Sequence, residues 1–180
     1  YLFVEKAGDR GVSLKRIIEE ADLPPNLEAT IRTESTFETA YDEFIAATDG
    51  QRRPPTFAFI DPFGWTGAPF RIVADVLSAS GGEVLITFMF EEVNRFLGNP
   101  DQAANFDDLF GTPDWRRCLE APDPRRRTRC IHDIYLRQLR KRARYVRSFE
   151  MRNDRDVTDY FLFFATNSLR GIQRMKESMW

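Results

Sequence analysis

The sequence predicts an α/β chain built on a mainly parallel sheet, with helices on both faces and an antiparallel hairpin at its C-terminal end. Three observations predict it. Short apolar runs alternate with segments of helical period. Several of those runs stop at acidic or turn-forming residues. The last two β-rich runs, Tyr145–Arg152 and Asp159–Thr166, flank the polar turn Asn153-Asp154-Arg155-Asp156.

Each element follows from its pattern. Tyr1–Glu5 (YLFVE) is apolar up to its closing acid and reads as a buried strand. Residues 10–22 place Val12, Leu14, Ile17, Ile18 and Ala21 at helical spacing, and Pro24-Pro25 stops them. Ala29–Thr33 alternates as a short strand. Thr36–Thr48 returns to helical period with Phe37, Ala40, Tyr41, Phe44 and Ile45 on one face. Gly50–Pro55 is a polar loop, and Phe57–Ile60 a buried strand running into Asp61-Pro62-Phe63-Gly64. Pro69 suits the first turn of a helix whose Phe70, Val73, Val76 and Leu77 face inward and which Gly81-Gly82 ends. Val84–Phe88 is a further strand. Glu91–Leu97 opens a helical excursion that continues, with interruptions, through Cys118; an Arg-rich helix follows from about Arg126 to Arg144, with Ile131, Ile134, Tyr135 and Leu139 as its buried stripe. Ser168 caps a final helix carrying Leu169, Ile172, Met175 and Met179.

At 180 residues, with 42% hydrophobic and 30% charged residues, the chain is sized for one domain, 1–180, carrying a helical, Arg-rich insertion at about 91–144. No apolar run approaches a membrane span. Tyr1 already lies inside an apolar run and Trp180 inside an amphipathic pattern, so the chain reads as a fragment. Cys118 and Cys130 show no metal-ligand spacing and are expected to be reduced thiols in a cytoplasmic protein. A single histidine, His132, excludes chemistry needing a histidine pair; it is expected to be an ordinary packed or surface residue. The net charge of −2 hides an asymmetry. Residues 1–115 hold 9 Lys/Arg against 20 Asp/Glu, whereas 116–152 hold 13 against 4. A basic segment on an acidic body suggests a polyanion partner.

In open parallel sheets, ligands sit beyond the carboxyl ends of the strands. Glu5 is an acid at such a tip and is a candidate to accept hydrogen bonds from the ribose hydroxyls of a nucleoside cofactor; a solvated strand-end acid would look the same. Glu34 and Ser35 follow the second strand and are candidates for the cofactor's adenine edge, although Ser35 or Thr36 also suits a helix N-cap. Asp61-Pro62-Phe63-Gly64-Trp65 is the most informative stretch. Proline fixes the backbone, glycine permits a sharp bend, Asp61 can accept from an amino nucleophile, and Phe63 or Trp65 can stack on a planar base. The alternative is a tight turn whose aromatics complete the core. Arg137, Arg140, Lys141 and Arg144 recur at helical spacing opposite the apolar stripe and can track phosphates, or be a solvated face. Asp107-Asp108 and Asp154–Asp156 show nothing a polar loop would not, so no metal site is expected.

The stretches FIDPFGWTGAPF (59–70), EVLITFMFEEVNRFL (83–97) and TDYFLFFATNSLRGIQRMKESMW (158–180) look like those of the three-Cys-motif partner proteins (TcmP), and the similarity runs from YLFVEK to the last helix. The resemblance implies a Rossmann-like, class I methyltransferase-type fold that binds S-adenosylmethionine. Its first strand and glycine loop would lie upstream and be missing here. That strand would sit between those ending at Glu5 and Ile60, so the piece alone is expected to be poorly stable. Glu5 would match the ribose-binding acid, and Asp61, Pro62 and Phe63 the D/N-P-P-Y/F catalytic motif of amino-methyltransferases. Here Phe63 replaces the second proline and Gly64 the aromatic, with Trp65 one step later.

Two functions follow as expectations. One is methyl transfer to an exocyclic amine of a nucleic-acid base, which needs alignment rather than a covalent enzyme intermediate. The other is a non-catalytic partner or regulatory module in a bacterial or phage gene cassette, working with the neighbouring three-Cys-motif protein.

Overall fold

The structure, a computed structural model, describes residues 1–48 and 52–179. It is α/β, and the chain divides into two compact units, Tyr1–Arg52 and a second that begins at Arg53. Each is described by itself.

The first unit runs β1 (Leu2–Glu5), α1 (Gly8–Glu20), β2 (Thr30–Thr33) and α2 (Phe37–Thr48). The two strands pair in parallel, with Leu2 opposite Thr30 and Glu5 opposite Thr33. The elements expected from the sequence form within two residues of their predicted bounds, but their burial differs. Tyr1 and Leu2 are exposed, so β1 is not a buried strand. On α1, Leu14 and Ile18 are half-buried, while Val12 is 70% and Ile17 58% exposed. The face that packs on β2 is centred on Gly11, whose hydrogen side chain lets Thr33 approach; a β-carbon there would meet the Thr33 methyl at 2.8 Å. Thr36, not Ser35, caps α2, its Oγ1 accepting from the Thr39 N–H at 3.1 Å. The expected Gly50–Pro55 loop lies partly outside the described residues; 52–55 is irregular chain.

The second unit holds β3 (Thr56–Ile60), α3 (Phe70–Ser78), β4 (Gly82–Phe88), α4 (Phe90–Phe96), α5 (Ala103–Phe110), α6 (Pro124–Arg140), β5 (Tyr145–Arg152), β6 (Thr158–Thr166) and α7 (Leu169–Met179). Single-turn 3₁₀ segments lie at Pro100–Gln102 and, longer, at Pro113–Glu120. The sheet order is β3-β4-β6-β5. β3 pairs with β4 in parallel, but β4 pairs with β6, and β6 with β5, antiparallel. The expected single, mainly parallel sheet is therefore two sheets, and the larger one is mixed. The hairpin causes the difference: β6 inserts beside β4 instead of closing an edge, and the edge strand is β5.

Alternation then assigns the faces. Ile60, Ile86 and Phe163 share one face by register, and α6 packs there: the Tyr135 ring lies 5.1 Å from Phe163 and 4.7 Å from Phe88. Ile131, Ile134, Tyr135 and Leu139 are all buried, as their spacing predicts. On the opposite face α7 covers β6 and β5, while Phe57 and Phe59 of β3 stay exposed, so helices cover both faces but one of them incompletely.

Local chemistry sets the helix ends. Asp123 caps α6 by accepting from the Arg126 N–H at 2.9 Å, with Pro124 in the first turn. Ser168 caps α7 through the Gly171 N–H at 3.1 Å. Gly171 has a packing reason too: a β-carbon there would collide with the Glu83 carboxylate, which accepts from the Thr166 hydroxyl at 2.7 Å.

The cysteines are not free. Cys118, on the 3₁₀ segment, and Cys130, on α6, form a disulfide with Cα atoms 5.6 Å apart. Sequence spacing alone could not show this, because the packing of the 3₁₀ segment against α6 is what brings the two β-carbons together.

Candidate functional site

The turn after β3 carries the motif that singled itself out in the sequence. β3 delivers Asp61 and Phe63 into solvent at its carboxyl end, and Phe63 is 90% exposed. Gly64 and Gly67 sit at φ +95° and +88°, a left-handed backbone that glycine adopts without strain. Trp65 turns the other way. Its ring stacks on Phe106 at 4.5 Å and tilts against Phe96 at 6.0 Å, which anchors the turn to α5 and α4. Of the two aromatics considered for base stacking, Phe63 is exposed and Trp65 is half-buried against Phe106 and Phe96. Beneath the turn, Pro62, Gly64, Trp65, Thr87, Phe88 and Tyr135 line a cleft of about 10 Å³, no larger than a water molecule needs.

In the first unit, Glu5 stands at the carboxyl end of β1. Its Oε1 accepts from the Ala7 N–H at 2.8 Å and lies 3.6 Å from the Arg10 guanidinium. One carboxylate oxygen is thus fixed, which orients the other. Glu34 follows β2 in a left-handed conformation, φ +56°, and its carboxylate lies 3.2 Å from where a β-carbon on Gly8 would sit. The Ser35 hydroxyl reaches the Thr36 carbonyl at 3.4 Å. Glu5 and Glu34 therefore both lie by the start of α1. Their strands share no hydrogen-bonded ladder with β3, so the single rim expected to carry Glu5 and Asp61 together is not formed by one sheet.

The basic residues are sorted by the end of α6. The helix stops at Arg140 with Lys141 as its C-cap, so Arg144 is not on the helical stripe but on the turn into β5. Even so, Arg140 and Arg144 converge. With Arg147 of β5 and Lys176 of α7 they line a groove of about 620 Å³, whose remaining wall includes Tyr145, Leu169 and Ile172. Arg137 and Lys141 do not line it; Lys141 Nζ donates to Gln138 Oε1 at 3.3 Å. The Arg144 guanidinium lies over the Tyr145 ring at 5.5 Å. Asn167 sets the turn: its Oδ1 accepts from the Arg144 N–H at 2.8 Å, and its Nδ2 donates to the Leu77 and Arg142 carbonyls at 3.1 and 3.5 Å. Arg147 and Lys176 were missed by sequence reasoning. The alternation along β5 and the helical period of α7 were both readable, but that these faces meet was not.

His132 is packed, as expected, its ring stacked on Phe163 at 5.3 Å and held by Asp133 and Ser148, each 2.9 Å from a ring nitrogen. Among the described residues no group of three or more His, Cys, Asp or Glu side chains is placed to hold a metal ion, and no helix is long and apolar enough to cross a membrane.

Comparison with known proteins adds no relative. No family model matches the chain, no curated protein is significantly similar to it, and no solved structure matches it. The likeness to three-Cys-motif partner proteins rests on the motifs quoted above.

Proposed function

We propose that this chain is a Rossmann-like, methyltransferase-type three-Cys-motif partner protein that acts on an exocyclic amine of a nucleic-acid base. One observation carries the reading: Asp61 and Phe63 are both exposed, two residues apart, at the carboxyl end of a parallel strand, on a turn that contains two left-handed glycines. S-adenosylmethionine, when bound, supplies an electrophilic methyl group on a sulfonium.

The chain's own residues have simpler tasks. Asp61 would accept a hydrogen bond from the amine, orienting the nitrogen lone pair and standing ready to take its proton. The Pro62 carbonyl is a second acceptor for the same amine. Phe63 offers its ring face to an unstacked base. Glu5 suits a ribose diol, since one oxygen is fixed by the Ala7 N–H and the other remains for the ligand. Glu34 and Ser35 lie one strand over. Their hydrogen-bonding atoms suit a polar cofactor edge.

Calorimetry should detect S-adenosylmethionine, and Asp61→Ala should lower methyl transfer to a nucleic-acid pool by at least about 100-fold, the scale of a lost positioned acid–base partner. Transfer unchanged by Asp61→Ala removes this assignment. The alternative, a non-catalytic module that works with the neighbouring three-Cys-motif protein in a bacterial or phage cassette, draws support from the small cleft of about 10 Å³ beneath the turn and from Phe63-Gly64 standing where amino-methyltransferases have proline and an aromatic. It predicts no cofactor binding at millimolar concentration.

A further inference from the structure

We propose that the groove between the end of α6, β5 and α7 is a binding site for single-stranded nucleic acid, in which Arg140, Arg144, Arg147 and Lys176 hold the phosphodiester backbone and Tyr145, with Leu169 and Ile172, receives an unpaired base. The inference deepens the nucleic-acid reading above, because it names the form of the polymer and a second place where it is held.

The first argument is electrostatic. The four cations come from three elements and the turn between two of them, and no acidic side chain lines the groove with them. Among the described residues none of the four makes an ion pair. Other arginines of this unit do: Arg53 with Asp75, Arg95 with Glu91, Arg116 with Asp107, Arg152 with Asp156 and Arg174 with Glu177. A chain of net charge −2 has acids enough to neutralise this cluster and does not place them there. Like charges gathered without counter-charge cost folding energy, and a polyanion reverses the sign of that term.

The second argument is shape and chemistry. A groove of about 620 Å³ takes more than one phosphate, and its wall is not purely polar. Leu169 is 56% exposed beside Tyr145, an apolar surface next to an aromatic ring that a solvated basic face has no need of. Duplex backbone presents phosphates and sugars with the bases turned inward. A single strand presents bases that can lie on tyrosine and leucine while arginines take the phosphates. An anionic membrane surface would engage the cations and leave the recessed wall unused.

The third argument is placement. Asn167 holds the Arg144 N–H and the Arg142 carbonyl, so the turn leading into Arg144 is set without a ligand. β5 is the edge of its sheet, which lets an extended chain approach Arg147 from the side.

Fluorescence anisotropy with labelled oligothymidylate, a blunt duplex of equal length and phosphatidylserine vesicles tests this without any cofactor. Oligothymidylate should bind more tightly than duplex at matched phosphate. The double reversal Arg144→Glu/Arg147→Glu should weaken it at least about tenfold and lower the slope of log affinity against log salt by about 1.4, near 0.7 per lost contact. Tyr145→Ala should weaken the single strand about tenfold and leave the duplex unchanged. Arg137→Glu, on α6 one turn before Arg140 but outside the groove, should cost no more than about twofold. An equal loss at Arg137, no loss on the double reversal, or a preference for duplex or for vesicles would each overturn the proposal. In the unsubstituted protein, oligothymidylate binding with no methyl transfer would sink the enzymatic reading and leave the groove standing, whereas methyl transfer that survives the double reversal, with no loss of binding, would do the opposite.

Discussion

The two units of this chain start from sequence patterns of equal clarity and reach different densities of packing. In the first, the helical spacing of Val12, Leu14, Ile17 and Ile18 is as regular as anything downstream, yet two of these four side chains are exposed and the fully buried residues are few: Gly11, Ala40 and Tyr41. In the second, Tyr135 is buried among the rings of Phe70, Phe88, Phe110 and Phe163, all within 6.2 Å, and burial pushes its phenol pKa well above the ordinary tyrosine value. Periodicity states which side chains share a face. It does not state whether a second layer covers that face. A two-stranded parallel sheet offers one ladder and little cover, whereas four strands between α6 and α7 supply both.

The contrast can be broken most directly by truncation. Tyr135→Ala should cost about 3–5 kcal/mol, as removal of a large buried ring does, while Ile17→Ala should stay within about 0.5 kcal/mol. Urea denaturation of both variants measures the gap; similar midpoints would mean that the two units are not packed so differently. Reduction is the next largest effect. Opening the Cys118–Cys130 disulfide, which closes a loop of twelve residues, should destabilise the second unit by about 3 kcal/mol on the chain-entropy account. Amide exchange should then quicken in α6 and the Pro113–Glu120 segment and stay as it was in α1; uniform quickening would couple the units instead.

The smallest effect is electrostatic. The Arg116 guanidinium, with help from the Trp115 indole N–H, holds the Asp107 carboxyl below its usual range. A depressed carboxyl stabilises the fold above the unfolded-state value near 3.8 and loses that contribution as pH falls through the folded value. Because both partners are over 40% exposed, solvent screening keeps the contribution under about 1 kcal/mol. Asp107→Asn should lower the urea midpoint slightly at pH 7 and leave it unchanged near pH 2. A difference that persists at pH 2 would mean that packing, not charge, sets it.

Much of this architecture was legible. The buried stripe of α6 was readable residue by residue because a long amphipathic helix repeats its signal from turn to turn, here from Ile131 to Leu139. The hairpin was readable because its turn is polar and its strands are rich in β-branched and aromatic residues. Three things were not legible, each because it depends on contacts between distant segments. Nothing in a spacing of twelve distinguishes bridged from free cysteines. Nothing in the strand pattern says that β6 inserts between β4 and β5, which makes the sheet mixed. The basic stripe was read as one helix face, but α6 ends at Arg140, and the cluster that forms draws Arg147 from a strand and Lys176 from another helix. Asp61 and Phe63 were picked out by composition alone, since a strand end has no structural use for that combination; the packing role of Trp65 shows how nearly the same argument overreaches.

Asn167 gives the groove a thermodynamic character of its own. One amide ties α3's last turn, the Arg142 carbonyl and the Arg144 N–H, so the loop that carries Arg144 is ordered when the protein folds and has little freedom left to lose at the encounter with a ligand. Binding there should look like docking onto a preformed surface, with a rate governed by charge and salt and not by a slow rearrangement.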